Sequence, residues 1–431
     1  MKAKHLIIYR LYMICIISYV CLSANFLDKI KLIVPLSFSF CLLVYIASVD
    51  FNGLKRAVYK SQLLLGFVCL VSIAILRTNL PDQTTLAVAY KFLTLFVFYF
   101  NTIYILTALI SDESYRRILK LILFPFFVFG CLNIFFYIVG IGNEVSEIPS
   151  VLAQLMGLPI NRTKMFLVSG INSYGVVNGF SLAVALLCFY FKVFKPKTSI
   201  IYIVVFFIIA VLTDSRGAII FALISIILSV LMNNRRRFIS LKLLPIVLIF
   251  APILLVLLLP QIASSSFFTN VSRDGNDIAS GNARFIIWGL VGNDFVNGTT
   301  LTFFGLGEGG IYRSDSLISL TILFEGLEDS AGKVLLHPHN SLIAMILDYG
   351  ILTLLSFISL LVVGIKGLIK NWNVNYKLYT ISSAMLIYLI LIGSTESFIG
   401  FYYQNVIIVY LFVLCLLFAL SSMKPVSKNI V

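Results

Sequence analysis

Two of the chain's three histidines, His337 and His339, stand two residues apart in His337-Pro338-His339-Asn340, just before a long apolar run. An imidazole with its usual pKa of ~6.5 can take a proton near neutral pH, so His339 is a candidate general base. The same positions also suit a plain helix cap, with Asn340 as the capping residue, and spacing alone leaves the two readings even. Pro338 favours an extended approach and a sharp helix entry under either reading. His337 is placed to orient His339 or a substrate hydroxyl, or else is simply structural. Downstream, Gly350 and the small Thr353 follow Asn340 at fixed distance.

The other candidates are arginines. Arg216 sits in Thr213-Asp214-Ser215-Arg216-Gly217, a short polar link between two apolar runs that has no need of a guanidinium. An arginine kept there can hold a diphosphate through two parallel hydrogen bonds, which a lysine cannot match. The competing reading is a surface pair with Asp214. Arg284 precedes Trp288 by four residues, so on a helix both face one way. Arg284 then either meets a substrate phosphate or snorkels to a lipid headgroup. Arg162, Arg273 and Arg313 are further arginines in polar loops, and Arg313 joins Asn340, His337 and Trp288 as a candidate substrate-binding residue.

No Asp-x-Asp pair is present; the nearest arrangement is Asp274 with Asp277. No metal and no cofactor are therefore expected. Gly305-Leu-Gly-Glu-Gly-Gly310 lacks the following Lys-Ser or Lys-Thr and the strand-helix setting of a phosphate loop, so it reads as a set of sharp turns.

The elements that must position these residues are membrane helices. With 60% hydrophobic residues, 12% charged and a mean hydropathy of +1.03, the chain is too apolar for a water-soluble fold of 431 residues. Apolar runs near 18 residues or longer can each cross ~30 Å of hydrocarbon as helices. They fall at about 3–26, 32–49, 61–76, 86–110, 118–140, 166–191, 199–213, 217–232, 243–260, 341–369, 378–393 and 401–421. The expected fold is thus all-α, a single polytopic domain over 1–431 with about twelve transmembrane helices. The first run is read as a retained helix rather than a signal peptide.

The net charge of +14 is explained by topology. Twenty of the 32 basic residues fall in alternate loops that begin with Lys2 and Lys4, ten fall in the opposite loops, and Arg10 and Lys91 fall within spans. By the positive-inside rule both termini are cytoplasmic and no nucleic-acid partner is implied. Two loops on the other side, 141–165 and the large periplasmic one at 261–339, exceed what a turn needs. Within the second, 282–295 reads as a helix lying on the membrane with Trp288 at the interface. All seven cysteines lie in predicted spans and read as packing residues.

The His339-Asn340 to Gly350 and Thr353 spacing, Ser215-Arg216-Gly217 and the stretch from Arg284 to Trp288, in this order, resemble landmarks of the O-antigen ligase and polymerase family of membrane enzymes. The resemblance covers roughly the central half of the chain. It implies a glycosyltransferase of the bacterial inner membrane, acting at the periplasmic face on polyprenyl-diphosphate-linked (undecaprenyl-type) oligosaccharide as donor and acceptor, with membrane lipid and a chain-length regulator as further partners. Under it His339, Arg216 and Arg284 would be catalytic and Asn340 would orient. The glycine-rich turn and extended loop tilt the reading to an O-antigen polymerase in lipopolysaccharide biosynthesis. A ligase passing glycan to lipid A-core is the near alternative. A lipid-linked oligosaccharide flippase is the alternative from another class, but it should carry cations along a central cavity, where only Arg10 and Lys91 offer themselves.

Overall fold

A computed structural model describes residues 3–22, 30–79, 84–111, 115–168, 170–232, 246, 284–297, 303–323, 338–372, 375–397 and 404–422. The all-α expectation holds. The helices in chain order are α1 Ala3–Cys21, α2 Ile30–Lys60, α3 Gln62–Leu76, α4 Thr85–Ser111, α5 Tyr115–Val139, α6 Val151–Leu155, α7 Ile171–Tyr190, α8 Pro196–Thr213 and α9 Arg216–Leu231. After these come α10 Arg284–Val296 and α11 Leu317–Leu323, then α12 Ser341–Asn371, α13 Tyr376–Gly393 and α14 Gln404–Ser421. Among the described residues, eight helices are long and apolar enough to cross a membrane, and α3, α9 and much of α14 are shorter apolar helices. The remaining expected span, 243–260, lies outside the described residues apart from Ile246, and so does the count of twelve that depends on it.

Burial sorts these helices into centre and rim. Every residue of α14 from Ile407 to Leu420 is at most 5% exposed, and α13 is nearly as enclosed. Helices apolar on every side belong inside a bundle, and α14 packs against α4, α7 and α12. On α8, Ile200, Ile201, Val204, Phe207 and Ile208 form an exposed stripe at helical spacing, as a surface in contact with lipid requires. The cysteines are all unbridged, with Cys15, Cys188 and Cys415 buried in this packing and Cys41 and Cys69 exposed.

Two helices depart from the expected spans. α2 runs on to Lys60 through a break at Asp50, whose φ of −152° is not helical. Its carboxylate lies 3.3 Å from Lys4 Nζ and accepts from Tyr104 Oη at 3.0 Å, joining the start of α1, the break in α2 and the end of α4 at one end of the bundle. α7 starts at Ile171 rather than 166, following a hairpin of β1 Glu144–Pro149 and β2 Asn161–Lys164 and a turn at 166–167. This antiparallel pair, with α6 between its strands, occupies the first long loop.

The described parts of the second long loop are folded onto the bundle. Gly305, Gly307 and Gly309 all have positive φ, which fits the expected turns. Leu306 N donates to Leu347 O, Gly307 N to Asp348 O and Gly310 N to Asp348 Oδ1, at 2.8 to 3.0 Å. These acceptors belong to a π-helical turn, Met345–Tyr349, inside α12. A Cβ on Gly350, at φ +82°, would strike Gly305 N and Phe303 O, so the two backbones approach as only glycines permit. Lys91, within the candidate span α4, binds Glu308 of this loop at 2.8 Å, with the Glu308 side chain wholly buried.

Candidate active site

At the end of the bundle opposite the Lys4–Asp50 contact, a polar cavity of about 430 Å³ opens between α7, the α8–α9 turn, α10, His339 and the end of α13. Arg216, Arg284 and His339, which sequence placed far apart, all line it. So do Arg162, Asp214 and Glu396.

The α8–α9 turn is made by Asp214, which ends α8 in the left-handed conformation with φ 51° and ψ 48°. Its side chain accepts from Leu152 N at 3.2 Å and lies 3.6 Å from Arg216 Nε. The expected alternative was an exposed pair; this one is enclosed, with Asp214 fully buried and Arg216 14% exposed. The carboxylate thus fixes the guanidinium at the cavity wall at the start of α9.

Arg284, at the start of α10, donates from Nη2 to Glu396 Oε1 at 2.6 Å. Among the described residues its Nε is buried without an acceptor. Held by the Glu396 carboxylate, the guanidinium side chain lines the cavity. The other carboxylate oxygen of Glu396 is 3.3 Å from His339 Nδ1. A neutral His339 that donates Nδ1–H to this carboxylate carries its lone pair at Nε2, the arrangement that orients a base.

The capping role and the place in the cavity fall on neighbouring residues. Asn340 caps α12, its Oδ1 accepting from Leu342 N and Ile343 N at 2.9 and 3.0 Å. Its Nδ2 donates to Ser394 O and its backbone N to Ser397 Oγ, so it pins α12 to the end of α13. Asn340 is fully buried and does not line the cavity, whereas His339 does and is held at φ +47°. Left-handed non-glycine residues are uncommon, and two of the three among the described residues, Asp214 and His339, stand in this cavity.

Trp288 is not at a lipid interface. It is 6% exposed, packs with Ile287, Val291, Ile311, Leu320 and Leu347, and donates from Nε1 to Pro338 O at 2.8 Å. On this helix Ile287, Trp288 and Val291 cover protein while Ile286 stays exposed, because an amphipathic pattern specifies an apolar partner without naming it. Trp288 consequently anchors the backbone just before His339 and does not line the cavity. Arg313 is exposed and also lies away from it. His337 and Arg273 lie outside the described residues.

Glu396 was missed by sequence reasoning, although Ser394-Thr-Glu-Ser397 places one acid among small polar residues directly after an apolar span. Among the described residues, no group of three or more His, Cys, Asp and Glu side chains is placed to hold a metal ion. The cavity presents three guanidiniums, a carboxylate-backed imidazole and room for part of a polar substrate. Such a site can bind phosphate and deprotonate a hydroxyl.

No curated protein matches the chain. A family model described as O-antigen ligase matches residues 201–358, a stretch that includes Arg216, Arg284 and His339. This match supports the resemblance to the O-antigen ligase and polymerase family over that stretch, in a chain with several helices long and apolar enough to cross a membrane.

Proposed function

We propose that the chain is a polymerase of surface polysaccharide, moving a glycan from one polyprenyl diphosphate onto a lipid-linked repeat unit at the periplasmic face of the inner membrane. The observation that carries this reading is the convergence of Arg216, Arg284 and a Glu396-backed His339 on one cavity. In the reaction the acceptor hydroxyl oxygen attacks the anomeric carbon of the donor sugar. Its proton passes to His339 Nε2, the bond from the anomeric carbon to the phosphate oxygen breaks, and the diphosphate leaves with the electron pair. Arg216 and Arg284 stabilise the charge that develops on the diphosphate, a role for fixed cations in a site shielded from water. Asn340 and Trp288 act indirectly, by fixing the helix start and the backbone on which His339 sits. The reading needs no metal, so purified protein should extend a lipid-linked repeat unit in chelator. Loss of turnover there, restored by magnesium or manganese, would overturn the arginine account.

The ligase reading has its own support, since the matched family model carries that description. The glycine-rich turn, one ground for the polymerase, packs the loop onto α12, which either enzyme would need. The glycans of a deletion strain separate them. Single-repeat lipopolysaccharide marks a polymerase, bare core with glycan left on the carrier marks a ligase, and cytoplasmic accumulation marks a flippase.

A further inference from the structure

The hairpin in the first long loop has no part in the function above, yet it forms one wall of the cavity through Ile148 and Arg162. It lies outside the segment that the family model matches. Three hydrogen bonds clamp it and α6 to the end of α8: Ser150 Oγ donates to Val211 O at 2.7 Å, Leu152 N to Asp214 Oδ1 at 3.2 Å and Arg162 Nε to Thr213 O at 3.2 Å. The strand register explains how Arg162 reaches the cavity. Val145 pairs with Thr163 and Pro149 with Asn161, so three residues of β1 oppose Arg162 alone. A bulge of this kind bends its strand and re-aims side chains, and here the side chains on both sides of it, Ile148 and Arg162, line the cavity.

Arg162 is also oriented. Besides its bond to Thr213 O, its Nη2 donates to Asn172 Oδ1 at 3.0 Å, from the start of α7. Bonds to a carbonyl and an amide oxygen fix the plane of the guanidinium at the cavity wall. We propose that Arg162 is a third phosphate-binding arginine of this site, and that the hairpin exists to deliver it to the diphosphate of a lipid-linked substrate. This rests on the lipid-linked glycan reading. A diphosphate on an isoprenoid chain suits the pairing of this cation with apolar Ile148 beside it.

The test is binding of polyprenyl diphosphate and polyprenyl monophosphate to the purified full chain in lipid nanodiscs. Arg162→Ala should weaken diphosphate binding roughly ten- to hundredfold and monophosphate binding much less, as loss of one charge-assisted contact to the second phosphate predicts. Arg162→Lys should recover part of the loss, and Lys197→Ala, exposed at the other end of the bundle, should bind like wild type. A purely structural Arg162 would not alter the preference for diphosphate. If Arg162→Ala misfolds, Arg162→Gln retains a donor toward Thr213 and should lose that preference at unchanged Tm. Wild-type diphosphate affinity in Arg162→Ala or Arg162→Gln, beside a loss in Arg284→Ala, would overturn the inference and leave the glycosyltransferase reading standing. A wild-type protein that binds neither lipid would overturn both.

Discussion

Glu396→Gln is the substitution that most directly interrogates the cavity, because the native carboxylate answers two donors at once. One oxygen accepts from Arg284 Nη2 at 2.6 Å and the other faces His339 Nδ1 at 3.3 Å. A glutamine has one acceptor oxygen, and its NH2 then opposes whichever donor is left. A charge-assisted hydrogen bond contributes about 1.5–3 kcal/mol. At 1.36 kcal/mol per decade, turnover should fall roughly ten- to hundredfold. If Glu396 works mainly by orienting His339, its effect must shrink once the imidazole is gone. His339→Ala alone should lower turnover by roughly 10²- to 10⁴-fold with donor binding nearly intact. In that background Glu396→Gln retains only its cost through Arg284. Rates of glycan transfer for wild type, both single variants and the double variant, each matched for Tm, form a cycle whose coupling should be about 0.5–3 kcal/mol. Additivity to within about 0.5 kcal/mol would mean that Glu396 and His339 act independently, and the oriented-base account would be wrong.

Trp288→Phe keeps the ring packing but leaves Pro338 O without its indole donor, which should cost about 1–3 kcal/mol of stability and lower turnover while donor binding is unchanged. An unaltered rate would show that the backbone before His339 is held by other contacts. Lys91→Met strands the buried Glu308 carboxylate and should destabilise the protein by about 3–5 kcal/mol in thermal unfolding, whereas adding Glu308→Gln should recover much of the loss. For topology, a cysteine at exposed Asp315, in a background without the seven native cysteines, should react with an impermeant thiol reagent from the periplasm, and one at Lys197 should not. Reversed labelling would put the cavity on the wrong side of the membrane for exported glycan.

What the sequence made legible was whatever depends on local pattern. Apolar runs of membrane-crossing length needed only hydropathy, and the sharp turns at 305–310 needed only glycine. Arg216 and Arg284 stood out because a guanidinium has to be explained where a short link or an amphipathic helix does not call for one. Glu396 did not stand out, because its significance is a pairing with residues 57 and 112 positions away. Trp288 was misread for a related reason: its apolar face says that something covers it, and only the fold shows that the cover is Ile311, Leu320 and Leu347. Arg162 depends on a strand register and a bulge within a hairpin of a few residues, too short to leave a periodic signal.

The left-handed backbone of His339 offers a way to separate its fold role from its chemical one. At φ +47° a side chain beyond Cα is paid for by the surrounding contacts, of which the Asn340 cap and the Trp288 bond to Pro338 are the nearest. For an L-residue the left-handed region costs about 1–2 kcal/mol, somewhat less for histidine. Glycine has no such cost in the folded state, though its freer unfolded chain gives back about 0.5–1 kcal/mol. His339→Gly should therefore leave thermal stability within about 1 kcal/mol of wild type, whereas His339→Val, β-branched at the same φ, should be clearly less stable. Turnover should collapse in both, by the same roughly 10²- to 10⁴-fold as in His339→Ala, because neither supplies a base. A glycine variant as stable as wild type and as inactive as the alanine variant isolates the imidazole as the reacting group. A glycine variant that keeps full turnover would return His339 to the role of a helix entry residue and send the search for the base to His337.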